Sequence, residues 1–404
     1  MKRVLIVYHY FALYRLPIIR ELMEADGYEF TLISADQGRK GIRTINPLLK
    51  DTVPEEGGIR WKFVENKWLG GRKSPILWQK GLLKIIDEDD YDAVIFLGTV
   101  YFLSTWLAIS AAKKRGKRVV IWTHGFLGKD PKWLAALRHR LYRMADACLL
   151  YGNRARNIML QTKYYNPEQL HVVYNSLDHA LHKSLRHYSL PETKQVTREA
   201  LFEGVDIPVV SYIGRLSPDK SLELLVDALE ISIRKGSPFK VLLIGEGPLK
   251  DSLHKRAEVA GVEDYFICYG YCEDEETACK LLSCGDVCVV PGGVGLTGMH
   301  AMGVGVPVVS HGDLDVQKPE CEAIVEGRTG ATFTRGNADD LASTLAGLFA
   351  DSDKLVAMRE NCFKLMDTFF NPAYQGKVIC NAVDGVPNPN SDFVPAMLFE
   401  PNKS

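Results

Sequence analysis

The sequence predicts an α/β chain of two domains, each a parallel sheet covered by helices. Three observations carry that prediction. Short apolar, β-rich runs alternate with amphipathic stretches; the alternation breaks once, near the middle, and restarts; and 404 residues exceed what one hydrophobic core sustains. Strands joined through helical stretches pair in parallel, through right-handed crossovers.

Taken in order, the runs at 4–8, 30–34, 93–97, 119–123, 147–151 and 171–174 are the strands of the first half. Those at 209–213, 240–244, 265–269, 287–290 and 307–310 are the strands of the second. Residues 1–185 thus form the first domain and 186–206 a linker marked by histidines, charges and Pro191. Residues 207–383 form the second domain, and 384–404 a tail whose prolines and asparagines oppose a helix. Open parallel sheets bind ligands beyond the carboxyl ends of their strands, so the site is expected where the two lobes face each other.

Apolar residues at 46% and charged residues at 25% exclude a disordered or fibrous chain. A net charge of −1 excludes a surface built wholly for nucleic acid and leaves room only for local basic patches. The opening apolar run is too short for a secretory signal, and no stretch approaches the ~18 apolar residues that span a bilayer. Nine cysteines, without C-x-x-C pairs, fit a reducing compartment. A cytoplasmic protein, soluble or peripheral on a membrane, is expected.

Chemistry concentrates after the first strand of the second half, where residues 211–221 read SYIGRLSPDKS. Gly214 lets the backbone turn, and Arg215 and Lys220 reach back to the strand end, where helix amides also point. A forked arginine and a lysine point charge suit a diphosphate leaving group; two solvated surface cations are the plain alternative. Residues 291–298, PGGVGLTG, make a glycine-rich strand-to-helix loop. Gly293, Val294, Gly295, Leu296 and Thr297 there offer amides to phosphate or sugar oxygens, a tight turn being the other reason for the glycines.

Residues 214–220 (GRLSPDK) resemble the donor-phosphate motif of the family-four glycosyltransferases of the GT-B fold. Four more segments resemble that family in the right order. They are 173–178 (VYNSLD) for its Asn-Gly-Val-Asp turn, 243–249 (LIGEGPL, with Glu246) for its Gly-x-Gly-Pro turn, 291–309 for its signature run ending Gly-x-Pro-Val-Val, and 322–330 (EAIVEGRTG). The resemblance spans most of the second half and is patchy in the first. It implies two Rossmann-like domains facing each other across a cleft, the first on the acceptor side and the second holding the donor.

The chain departs from the family at two places, since Gly292 and His300 stand where two glutamates eight positions apart are usual. In the family the first approaches the donor sugar and the second holds the nucleotide ribose. Imidazole donates or accepts, so His300 can still serve a ribose, whereas Gly292 cannot replace a carboxylate.

In the first half, IWTHG at 121–125 sets His124 at a strand end. The resemblance puts a histidine near the donor sugar and the cleaved bond, where it orients the sugar or donates to developing charge. Residues 9–15 (HYFALYR) lack the glycine pair of many relatives, and Tyr10, Tyr14 and Arg15 are candidates for the acceptor side, with Arg15 equally readable as a solvated helix-start residue. The basic runs 113–118 (KKRGKR) and 132–143 (KWLAALRHRLYR) suit an anionic membrane surface, or a solvated loop and a sheet-packed helix. Cys268, Cys272, Cys279, Cys284 and Cys288 match no zinc spacing, and no D-x-D run is present, so metal-independent donor binding is expected.

The resemblance implies a hexosyltransferase that uses a nucleotide diphosphate sugar, acts with retention on a glycan or lipid-linked glycan, and serves bacterial surface polysaccharide such as capsule or lipopolysaccharide. Its rivals are a catalytically silent nucleotide-sugar-binding relative or partner subunit, which the missing glutamates favour, and a sugar-nucleotide epimerase of the same fold.

Overall fold

The computed structural model describes residues 1–38, 42–71, 74–126, 130–202, 207–387 and 394–400. The chain divides into two compact units, Met1–Leu177 with Asn371–Phe393, and Asp178–Phe370 with Val394–Ser404. Each contains a wholly parallel main sheet with helices in the crossovers, as the alternating pattern predicts.

The strands of the first unit are β1 (Lys2–Val7), β2 (Tyr28–Ser34), β3 (Trp61–Phe63), β4 (Glu65–Trp68), β5 (Leu77–Lys80), β6 (Ala93–Leu97), β7 (Arg118–Thr123), β8 (Ala147–Leu150) and β9 (Leu170–Val172). Seven form the sheet in the order β3-β2-β1-β6-β7-β8-β9, and β4 and β5 pair as a separate antiparallel ribbon. Both faces of the sheet are covered, which is why its strands read as continuous apolar runs. Val4 and Ile6 pack into one cluster with Phe30, Leu32 and Trp122, while Leu5 and Val7 pack into another with Phe96, Val119 and Ile121.

The second unit carries β10 (Val209–Ile213), β11 (Lys240–Ile244), β12 (Phe266–Gly270), β13 (Val287–Val290), β14 (Val308–His311) and β15 (Gly330–Phe333). Their order is β12-β11-β10-β13-β14-β15. Strand order reverses at β10, so β10 and β13 lie side by side while their following loops diverge, leaving a crevice at their carboxyl ends.

The unit boundaries differ from the expected 1–185 and 207–383. The helix Pro372–Asp384 belongs to the first unit, where Val378, Ile379, Ala382 and Val383 join the cluster containing Ile18, Ile19 and Leu22. Arg118 Nε holds the Ala382 carbonyl at 2.7 Å, and Gln375 Nε2 holds that of Tyr174 at 2.8 Å. The expected linker 186–206 is also structured up to residue 202: it contains the helix Pro191–Leu201, whose Lys194 and Arg198 grip Asp286 at 2.8 and 2.7 Å. Residues 203–206 lie outside the described residues. Of the tail, Asp384 ends a helix, Pro395–Phe399 forms a 3-10 turn, and 388–393 and 401–404 are outside the described residues. Among the described residues no helix is long and apolar enough to cross a membrane.

Candidate functional site

The loops after β10 and β13 build the candidate site of the second unit. Gly214 leaves β10 at φ 141°, a conformation that favours glycine, and its amide bonds the Ile244 carbonyl at 2.9 Å. Neighbouring loops touch backbone to backbone: a Cβ at Gly245 would lie 1.9 Å from the Gly214 oxygen, and one at Gly247 2.2 Å from that of Leu216. The Gly-x-Gly-Pro turn is thus a steric seat for the 214–220 segment. Glu246 contributes its carbonyl to the Leu216 amide at 3.0 Å, while its exposed carboxylate is engaged by Lys250 at 2.6 Å.

Arg215 is exposed, and among the described residues no ion pair or side-chain hydrogen bond holds its guanidinium. Lys220 ends the 3-10 turn Pro218–Lys220 and is half-buried; its Nζ donates to the Gly293 carbonyl at 2.6 Å. Burial pushes the Lys220 pKa below its ordinary value, the nearby Lys318 adds to that, and Asp219 opposes it. One cation is therefore fixed across the crevice and the other has no partner among the described residues, so the two are not equivalent surface charges.

The glycine-rich loop is locked from beneath. Gln317, 6% exposed, donates through Nε2 to Ser310 Oγ (2.8 Å) and the His311 carbonyl (3.1 Å), and accepts from the Val294 amide at 3.1 Å. Gly293 gives its amide to the Asp219 carbonyl at 3.3 Å, and Thr297 Oγ1 donates to the Ile213 carbonyl at 2.8 Å. Two amides expected to face a ligand, those of Gly293 and Val294, are thus spent inside the protein, as is the Thr297 hydroxyl. What remains is the first turn of the helix Gly295–Gly303, including the amides of Gly295, Leu296 and Thr297, with no side-chain cap at its N-terminus. Gly292 has a steric cause of its own, since a Cβ there would lie 2.2 Å from the Asp219 carbonyl oxygen.

His300 lies on that helix, half-buried, with its Nδ1 3.1 Å from Glu275 Oε1. Glu275 also accepts from His182 Nε2 at 3.3 Å, and contacts from His182 first and His300 second hold its carboxyl far below the usual carboxylate range. Sequence reasoning missed Glu275 and Gln317. Neither sits in a motif, and only the convergence of separate elements gives them partners.

In the first unit, His124 follows β7 and is exposed, its ring 4.6 Å from that of Tyr151. Arg15 is not a solvated helix-start residue: it is 8% exposed, bonds the Tyr151 hydroxyl, and lies 4.9 Å from the rings of both Tyr8 and Trp122. Tyr14 is 5.4 Å from Arg15 and 36% exposed, and Tyr10 packs on His9 at 4.0 Å.

Much of the basic run 113–118 is occupied internally. Lys113 pairs with Asp146 at 2.6 Å, Arg115 bonds the Asp87 and Asp89 carbonyls, and Arg118 bonds Ala382. The helix Lys132–Tyr142 buries Leu141 and Tyr142 and leaves Trp133 63% exposed, and a groove of about 640 Å³ is lined by Lys132, His139, Arg140 and Arg143 together with Ala135, Ala136, Met144 and Tyr164. Cys279, Cys284 and Cys288 are buried, and burial pushes the Cys284 thiol up to about 12.

Comparison with known proteins identifies two family matches, "Glycosyltransferase Family 4" over residues 18–181 and "Glycosyl transferases group 1" over 207–351. The alpha-D-kanosaminyltransferase of Streptomyces kanamyceticus is 26% identical over 242 residues, 58% of this chain and 59% of that one. A GDP-mannose-dependent alpha-(1-6)-phosphatidylinositol monomannoside mannosyltransferase of Mycobacterium tuberculosis is 29% identical over 162 residues, 37% of this chain and 40% of that one. The chain thus spans less than two thirds of the length of these curated relatives. Among solved structures, Anabaena HepE in complex with UDP superimposes with a TM-score of 0.71 at 19% identity, covering 96% of this chain and 100% of that one. The lipopolysaccharide outer core galactosyltransferase WaaB gives 0.66 at 16% identity, covering 95% and 99%.

Proposed function

The chain belongs to the family-four glycosyltransferases of the GT-B fold, and on that premise we propose that it transfers a hexose-type residue from a nucleotide diphosphate sugar to a glycan or lipid-linked glycan, with retention. The observation that carries the reading is the crevice between β10 and β13, where Lys220 is fixed on Gly293 while the Arg215 guanidinium is unpaired among the described residues. In this reading Arg215 and Lys220 take the diphosphate, the first turn of the helix Gly295–Gly303 adds its amides, and His300 offers Nε2 to the ribose. Gly214 and the Glu246 turn shape that pocket.

The bond from the anomeric carbon to the phosphate oxygen breaks while a bond to the acceptor oxygen forms on the same face, and the acceptor proton passes to the departing phosphate. Arg215 and Lys220 stabilise the negative charge that develops there, and His124 orients the sugar. Tyr10, Tyr14 and Arg15 serve the acceptor, and no metal is invoked at the diphosphate. HepE has been solved with UDP and with UDP-glucose, and the mycobacterial relative is named for GDP-mannose, so uridine and guanosine donors are the first to try. A role in bacterial surface polysaccharide, on the cytoplasmic membrane face through the Lys132–Tyr142 helix, fits the exposed Trp133 and its basic neighbours.

The test is thermal-shift binding against uridine, guanosine and thymidine diphosphates and their sugars. One nucleotide family should stabilise the parent, and Arg215→Ala and Lys220→Ala should each weaken binding by roughly tenfold or more, as loss of a charge-assisted contact to phosphate does. Unchanged affinity in both variants would remove the phosphate assignment. Nucleotide binding without acceptor-dependent release of nucleoside diphosphate would instead favour the silent relative, and interconversion of the free sugar nucleotide the epimerase.

A further inference from the structure

Three ligand-bearing side chains from three helices of the second unit converge on one point. His182 is on the helix His179–Ser184, Glu275 opens Glu275–Ser283, and His300 is on Gly295–Gly303. One ligand atom from each of the three lies within 4.8 Å of those of the other two. Glu275 Oε1 stands 3.3 Å from His182 Nε2 and 3.1 Å from His300 Nδ1. An ion held tetrahedrally at roughly 2.0–2.1 Å separates its ligands by about 3.3 Å, so two edges of the triangle already have that length.

A second observation concerns direction. Among the described residues the buried His300 Nδ1 has no hydrogen bond of good geometry, although a carboxylate oxygen stands 3.1 Å away. The nitrogen is close to the oxygen without being aimed at it. Ligands around an ion are arranged in this way, because their lone pairs meet at a point between them and not at each other.

We propose that His182, Glu275 and His300 form a binding site for a divalent transition-metal ion, zinc in the first instance, with the fourth position open. Two imidazoles and one carboxylate are a ligand set zinc accepts, whereas calcium and magnesium prefer oxygen. His182 is the buried wall at 1% exposure, and its ring is wedged so that a Cβ at Gly303 would lie 2.5 Å from its Nδ1. Glu275 and His300, with side chains 41% and 23% exposed, leave a path from solvent.

Coordination through Nδ1 would fix the His300 ring and keep the proton on Nε2. That N–H is the group assigned above to the ribose, and this link alone rests on the proposed donor site. The ion is an orienting element and takes no part in holding the diphosphate.

The experiment is a cobalt titration of the full chain after chelator treatment, followed by absorption spectroscopy, zinc displacement and metal analysis. One ion per chain is expected, with the intense visible band of four-coordinate cobalt and no near-ultraviolet thiolate band, which excludes the cysteines as ligands. Glu275→Gln and His300→Ala should each lower zinc affinity at least about tenfold with the circular dichroism of the parent. These two substitutions are decisive, because one at buried His182 can disturb folding. Absence of a saturable cobalt spectrum would overturn the site and leave a carboxylate bridging two imidazoles; so would a spectrum that survives both substitutions. Neither readout needs nucleotide or acceptor, so failure here and failure of the transferase reading are separable.

Discussion

His171, in β9, is 1% exposed, and burial pushes its pKa from 6.5 down to about 4, with Arg118 and Arg156 adding to the effect. Between those values the unfolded chain binds a proton that the folded chain refuses, so stability rises with pH across that window and is lost as pH falls through it. The shift corresponds to about 3 kcal/mol at most. His171→Leu should flatten this slope, read as denaturant midpoints at about pH 5 and about pH 7.5; an unchanged slope would assign the acid sensitivity elsewhere. At this scale the sequence makes Arg215, Lys220 and the loop glycines legible, because glycine and cation spacing is local chemistry. Arg15 shows the limit: the sequence leaves it open as a solvated residue, and only the rings of Tyr8, just after β1, and Trp122, in β7, make it a buried one. Glu275 is legible only once the helices carrying His182 and His300 are packed against its own.

Among the elements, the apolar strands are read to within a residue or two of their ends, since burial on both faces leaves an unbroken hydrophobic run. β4 is not, because Glu65-Asn66-Lys67 is polar and its pairing with β5 stands apart from the main sheet. β3 and β15 offer no continuous apolar run, since exposed Lys62 interrupts the first and Gly330 and exposed Thr332 the second. The expected linker fails for another reason: Pro191 read as a breaker begins a helix, at the position where its missing amide costs nothing. A side chain at position 292 meets the Asp219 carbonyl, so Gly292→Ala should cost roughly 1–3 kcal/mol and weaken nucleotide binding with it. A variant with parental melting temperature and parental affinity would show that the loop can move aside. The same contact leaves no room on this backbone for a longer side chain at 292.

For the whole molecule, two Rossmann-like units were legible from length and alternation, and their composition was not. A stripe of Val378, Ile379, Ala382 and Val383 says that a helix must be buried, but not on which sheet. Since the first unit owns that helix, residues 1–177 alone should lack a cooperative thermal transition, and joining 371–387 to them through a flexible linker should restore one. A cooperative transition in the shorter fragment would refute this dependence.

The returning helix also sets a clock on synthesis. About 200 further residues must leave the ribosome between the last strand of the first sheet and the segment that seals it, roughly 10–40 s at about 5–20 residues per second. Throughout that interval Ile18, Ile19 and Leu22 lack their native cover, so the nascent chain is a natural client for a holdase, and slowing translation should increase its capture.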